Sequence, residues 1–199
     1  MKEQNRLTVS LGNGWFKGKF GLNTRATISE MNLKLIAELR LVYEDGEVQV
    51  IGTDETWEYI GSDVEDDGIY DGEIINHLLW KEKENLPKKA VLTEAEGKLV
   101  ARYSLPVMEM EDMQVKEVIY TPLGETVLDF GQNFAGYVTF RNHLPEGTRI
   151  VFDHGEILQD GNFYNENYRS AKSQFVYVSD GRDELVRPSF TYFGFRMYV

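Results

Sequence analysis

Asp71 and Glu73 stand two positions apart beside Tyr70 in the run Ile69-Tyr70-Asp71-Gly72-Glu73. On a β-strand such residues share a face. The pair therefore reads two ways: as carboxylates offered to a calcium ion or to sugar hydroxyls, or as side chains that tie down a loop at a solvated edge. Upstream, Thr53-Asp54-Glu55-Thr56-Trp57 brings a large ring into the same region of sequence. Such rings stack on sugars, and they also fill β-sheet cores. Trp57, Tyr70, Asp71 and Glu73 form the candidate sugar-binding set, with Asp71 and Glu73 as the candidate calcium ligands.

Three further segments are dense in polar residues and glycine. Gly12-Asn13-Gly14-Trp15 places glycines beside a ring, the pattern of a bulge or tight bend. It lacks the Gly-Lys-Ser/Thr ending of a phosphate loop. Asp129, Gln132 and Asn133 lie among Phe130, Phe134 and Tyr137, and buried polar groups in such company must find partners. They either brace a turn or contact another domain or a sugar. His154 and Glu156 would share a face of a continuing strand, with Arg169 further on. Acid–base chemistry needs a second placed group, and no nucleophile or positioned carboxylate accompanies them. No residue is assigned a catalytic role. Asp129, Gln132, Asn133, Glu156 and Arg169 are expected to form an interdomain or structural polar network.

The elements that must hold these residues read as strands. From Met31 to Leu41 every odd position is apolar, and this period-two alternation outweighs the helix propensity of its Leu, Lys, Ala and Glu. Asp45-Gly46 between apolar runs predicts a hairpin leading into Val48-Gln49-Val50-Ile51. Further turns are expected at Pro145-Glu146-Gly147-Thr148, Asp160-Gly161 and Asp180-Gly181, and Phe193, Phe195, Met197 and Val199 alternate at the end of the chain. Many short strands with frequent turns, and no repeated βα unit, predict an all-β protein of antiparallel sandwich domains. The charged stretch from Lys81 to Lys89 contains Pro87 and marks a boundary, with a crossing strand expected over residues 98–103. The division is placed at 1–104 and 105–199.

Composition narrows the function. The chain has 199 residues, a net charge of −12 and no cysteine. The charge argues against nucleic acid and an anionic membrane surface as partners. The missing cysteine removes disulfides, thiolate zinc sites and thiol catalysis. Met1-Lys2-Glu3-Gln4-Asn5 is polar and is not a signal peptide.

In this order, the segments resemble the bacterial α-L-rhamnosidases of glycoside hydrolase family 78. The family pattern runs through Gly-Asn-Gly-Trp (residues 12–15), Thr-Asp-x-x-Trp (53–57) and Tyr-x-Gly-Glu (70–73). It continues with Asp-Phe-Gly-Gln-Asn and a later Gly (129–136), a Glu-x-Leu segment ending in Asp-Gly (156–161), Arg-x-Ala (169–171) and Phe-Thr-x-x-Gly-Phe-Arg (190–196). Where the family shows Asp-Ala-Arg after Gly-Glu, this chain has Asn76-His77-Leu78, and Met197 replaces a final Tyr. The resemblance implies a carbohydrate-binding-like sandwich over 1–104 and a concanavalin-like sandwich over 105–199. The parent would remove terminal α-L-rhamnose from glycans by inversion. Its two acidic groups would lie in an (α/α)₆ barrel expected to follow Val199. The hallmark Asp-Cys-Pro segment of that barrel is absent. The implied partners are the missing barrel and rhamnose-containing glycans. The expectation is a non-catalytic front fragment, with a calcium-assisted rhamnose-binding module and a purely structural docking domain as alternatives.

Overall fold

A computed structural model of the chain describes residues 5–20, 26–27, 32–82, 86–94 and 97–199. In chain order the strands are β1 (Lys19–Phe20), β2 (Ala26–Thr27), β3 (Glu38–Val42), β4 (Val48–Gly52), β5 (Glu58–Tyr59), β6 (Val64–Gly68) and β7 (Gly72–Asn76). A short helix, α1 (Leu78–Glu82), precedes β8 (Lys88–Lys89), β9 (Glu117–Tyr120), β10 (Thr126–Gly136), β11 (Phe140–Asn142) and β12 (Arg149–Gly155). The chain closes with β13 (Ile157–Gln159), β14 (Asn162–Tyr164), β15 (Gln174–Val178), β16 (Glu184–Val186) and β17 (Phe193–Tyr198). The protein is nearly all β and mostly antiparallel, as the alternation and turn chemistry predict.

The chain forms two compact units. One joins Met1–Leu33, Ser62–Lys83 and Gln114–Val199; the other joins Lys34–Gly61 and Glu84–Met113. These segments divide the chain differently from a single cut at 104/105. The first unit is built on a seven-stranded sheet of order β6-β7-β15-β12-β17-β10-β9. A parallel pair sets β7 beside β15, so a strand from the N-terminal half lies inside a sheet made largely by the C-terminal half. Phe175, Val176 and Tyr177 are buried in succession on β15, as expected of a strand covered on both faces. On β17 the expected period holds through Met197, with Phe193, Phe195 and Met197 buried, Gly194 exposed and Arg196 half-buried; it ends at Tyr198, which is buried as well. These rings join Phe130, Phe134, Phe152 and Tyr198 in an aromatic core, with Phe134 and Phe195 4.6 Å apart.

Local turn chemistry follows the sequence closely. The β3–β4 hairpin closes over Asp45-Gly46, with Gly46 at φ +87° and Tyr43 N–H bonded to Glu47 O at 2.9 Å. Asp160-Gly161, at φ 52° and 78°, makes the two-residue turn between β13 and β14. Two expectations change. The strand expected from Met31 to Leu41 is laddered only over Glu38–Val42 (Met31 lies outside the described residues), although Leu33, Leu35 and Ala37 stay half-buried between exposed neighbours. Residues 98–103 form no ladder, because extended apolar sequence without a neighbouring edge is not a strand. The turn expected at 145–148 is present, with Thr148 N–H bonded to Pro145 O at 3.2 Å, and it joins strands of different sheets: β11 pairs with β16, and β12 with β15 and β17.

Candidate functional site

The Tyr70–Glu73 segment bends between β6 and β7, and glycine permits that bend. Gly72 sits at φ +99°, and a Cβ there would lie 1.8 Å from Gln174 O. Only glycine lets β7 approach β15 so closely. Next to it, Glu73 is 1% exposed. Its carboxylate accepts Ser189 N–H at 2.9 and 3.0 Å and Phe190 N–H at 2.6 Å. Burial raises its pKa and the amide bonds oppose that rise. The Glu73 carboxylate is thus a fastener across the chain, holding the 189–190 loop. Gly12 completes the fastening, since a Cβ there would meet the Phe190 ring at 2.3 Å.

Asp71 points elsewhere. With Tyr70 it lines a cleft of about 70 Å³ whose other walls include Asn13, Lys17, Lys19, Asp66 and Asp67. Asn13 anchors this wall, its N–H bonded to Asp67 Oδ1 at 2.6 Å and its Nδ2 to Asp67 O at 3.1 Å. Burial raises the Asp67 pKa, against the Asn13 and Gly14 amides, and the Asp66 charge adds to the rise. Trp15, 55% exposed, stands edge-on to Tyr70 at 6.0 Å. The arrangement offers hydrogen-bond donors and acceptors in a small cleft beside an exposed ring. That suits the edge of a polyol or sugar better than a bare cation, since two lysines share the walls.

The sequence-selected residues therefore separate. Tyr70 and Asp71 meet at the cleft, and Glu73 lies under the 189–190 loop. Trp57 belongs to the other compact unit, half-buried, with its N–H bonded to Asp54 O at 3.3 Å and its carbonyl to Ala90 N–H at 2.9 Å. Asp54 Oδ1 accepts the Thr56 N–H at 2.8 Å and hydroxyl at 2.5 Å, so the Thr-Asp-x-x-Trp segment is a side-chain-closed turn. Nothing in the sequence pattern marks Asn13, Lys17, Lys19, Asp66 and Asp67 as ligands. The glycines around Asn13 hinted at a special backbone, whereas nothing in Asp66-Asp67 distinguishes it from any acidic strand.

The expected polar network resolves into two fastenings. Four residues, 130–133, bulge from β10 opposite Arg196, because Asp129 pairs with Met197 and Phe134 with Phe195. Arg196 grips Asp129 in a fork of 2.9 and 2.7 Å, and Gly131 N–H adds a bond of 2.6 Å. The Arg196 guanidinium holds the Asp129 carboxyl below its ordinary range. The second links Glu156 to Asn167 Nδ2 at 2.9 Å, with Asn133 Nδ2 3.5 Å away. Gln132 and Arg169 are exposed, Arg169 at φ 60° after a single 3₁₀ turn. His154 is fully buried, stacked on Phe193 at 3.9 Å, with Nδ1 2.8 Å from Ser173 O. Burial lowers its pKa to about 4, so it is a neutral core group. Glu156 does not join it.

Residues 1–111 match the α-L-rhamnosidase N-terminal domain, and residues 119–199 match the bacterial α-L-rhamnosidase concanavalin-like domain. This chain belongs to the bacterial α-L-rhamnosidase family. It is 27% identical to an α-L-rhamnosidase of Alteromonas sp. (strain LOR) over 98% of its length, and 26% identical to one of Formosa agariphila over 97%. It spans only 22% of each of those relatives. Among solved structures, α-L-rhamnosidase from Aspergillus terreus superimposes with a TM-score of 0.83 at 27% identity, covering 94% of this chain and 23% of that one. The Streptomyces avermitilis α-L-rhamnosidase complexed with L-rhamnose gives 0.76 at 26% identity, covering 93% and 19%. The rhamnosidase motifs of this chain are thus largely its fastenings: residues 12, 73 and 190 meet in one place, and 129 and 196 in another.

Proposed function

We propose that this chain is a non-catalytic accessory part of an α-L-rhamnosidase whose hydrolytic acid and base lie in an (α/α)₆ barrel elsewhere in the parent. The observation that supports this is the employment of its buried acids. An inverting glycosidase needs two carboxyl groups facing one bound sugar, with room for water between. Here Glu73 is consumed by two backbone amides, Asp129 by Arg196, and Asp180 by Arg182 at 2.6 Å. On edge strand β9, Val118 and Tyr120 share a face and stay exposed, Tyr120 at 79%, which suits a surface that packs against a further domain. The purified chain is expected to release no aglycone from an aryl α-L-rhamnoside. Turnover that persists through repeated purification rejects the reading.

A second reading is favoured by the Tyr70–Asp71 cleft: contact with a rhamnose-bearing glycan, through its hydroxyls or through calcium. Calorimetric titration with L-rhamnose, with and without calcium, decides between these forms. Heat lost in Asp71→Ala and Lys17→Ala supports the cleft, and heat that requires calcium supports the ion-linked form. Absence of both heat and a rise in melting temperature removes sugar binding, because a ligand of the folded state must stabilise it.

A further inference from the structure

His77 directly follows β7 and is 8% exposed. Its N–H bonds Val178 O at 3.2 Å, which seats the ring edge-on against Tyr177 with centroids 5.1 Å apart. Nε2 lies 3.0 Å from Asp63 Oδ2 and Nδ1 lies 2.8 Å from Glu184 Oε1. A neutral imidazole has one N–H and one lone pair, so it satisfies one of these carboxylates and turns a lone pair toward the other. Only the imidazolium donates to both. Asp63 precedes β6 and Glu184 lies in β16, so the charged ring ties two distant stretches of one compact unit.

The neighbouring carboxylates favour that charge. Asp63, also bonded by the Trp80 side chain of α1, faces Nε2. The Tyr177 hydroxyl of β15 lies 3.4 Å from both His77 Nδ1 and Glu184 Oε1. From the β15–β16 turn come Asp180 and Arg182, the guanidinium 2.6 Å from Asp180 and 3.7 Å from Glu184. The guanidinium thus reaches two of the three carboxylates, Asp180 and Glu184, and the imidazolium supplies the remaining positive charge beside Asp63 and Glu184. The Asp63 bond raises the His77 pKa against burial, and the Glu184 and Asp180 charges add to the rise.

We propose that His77 is a proton-operated staple: as imidazolium it fastens the start of β16 to the β6–β7 edge, and on losing its proton it releases the Glu184 side. A folded-state pKa raised above the unfolded value means the stabilisation is complete below about 6.5 and is lost as pH rises through the folded value.

The test is an NMR titration of the His77 ring, with urea midpoints taken from pH ~6 to ~8.5 around that reference value. The ring is expected to titrate above the ordinary histidine value and to move down in Glu184→Gln. The midpoint of the parent chain is expected to fall across the window, and that fall to vanish in His77→Gln. A ring titrating at or below the ordinary value overturns the staple, as does an unchanged midpoint profile in His77→Gln. The donor atoms of His77, Asp180 and Glu184 lie within 4.8 Å of one another, so a zinc arm is included. A melting temperature raised by zinc in the parent chain but not in His77→Gln replaces the proton with a metal and also overturns the proposal. Should His77→Gln not fold, the ring titration in the parent and in Glu184→Gln decides alone: no downward movement rejects it.

Discussion

At the residue scale, a buried carboxylate is judged by what its oxygens already hold. Glu73 accepts the Ser189 and Phe190 amides, and removing it leaves those donors unpaired. Glu73→Ala is expected to lose about 3 kcal/mol in urea unfolding, with Glu73→Gln losing less because one acceptor oxygen remains. His154 makes the opposite pH prediction to His77. Its pKa falls from 6.5 to about 4 on folding, chiefly through burial. The unfolded chain therefore binds the proton first as pH drops. The contribution of His154, roughly 3 kcal/mol, is whole above 6.5 and disappears between there and 4. Urea midpoints from pH 7 to 4 (values spanning that window) should decline, and the His154 ring should be neutral by NMR at pH ~5. The Asp129–Arg196 fork requires a planar guanidinium, so Arg196→Lys should lower the melting temperature although charge is conserved.

At the element scale, the two glycines of greatest contrast are Gly72 and Gly46. Both have positive φ, at +99° and +87°. A Cβ at Gly72 would strike the Gln174 carbonyl at 1.8 Å, whereas one at Gly46 meets nothing within 4 Å. Gly46→Ala should cost about 1–2 kcal/mol, the strain of the left-handed region alone. Gly72→Ala should cost more than ~4 kcal/mol or yield insoluble protein, since it separates β7 from β15. Chemical denaturation of the pair measures the difference. The Asp-Gly turn signals were legible because a two-residue hairpin is a local event. The β7–β15 pairing was not, because residues 72–76 and 174–178 are parallel partners joined by nothing in the local pattern.

At the scale of the whole molecule, the seven-stranded sheet draws β6 and β7 from residues 64–76 and the rest from beyond residue 116. A fragment limited to 105–199 would expose the β15 edge that β7 pairs with. It is expected to aggregate, or to lack the dispersed amide spectrum of the full chain, when expressed alone. A dispersed spectrum and a cooperative urea transition for that fragment would show that β15 is stable without its partners.

The sequence by itself determined the fold class, the turns, the alternating face of β17 and the family, since periodicity, Asp-Gly dipeptides and ordered motifs are properties of neighbours along the chain. It also marked the residues that matter: 12–15, 70–73, 129–136 and 190–196. Tertiary structure decided what each one does. Asp71 and Glu73 share a strand-like spacing, yet one lines a cleft and the other is sealed against two amides 116 and 117 residues away. A carboxylate's chemistry depends on which donors reach it and whether water does, and those donors arrive from strands whose proximity only the folded sheet sets.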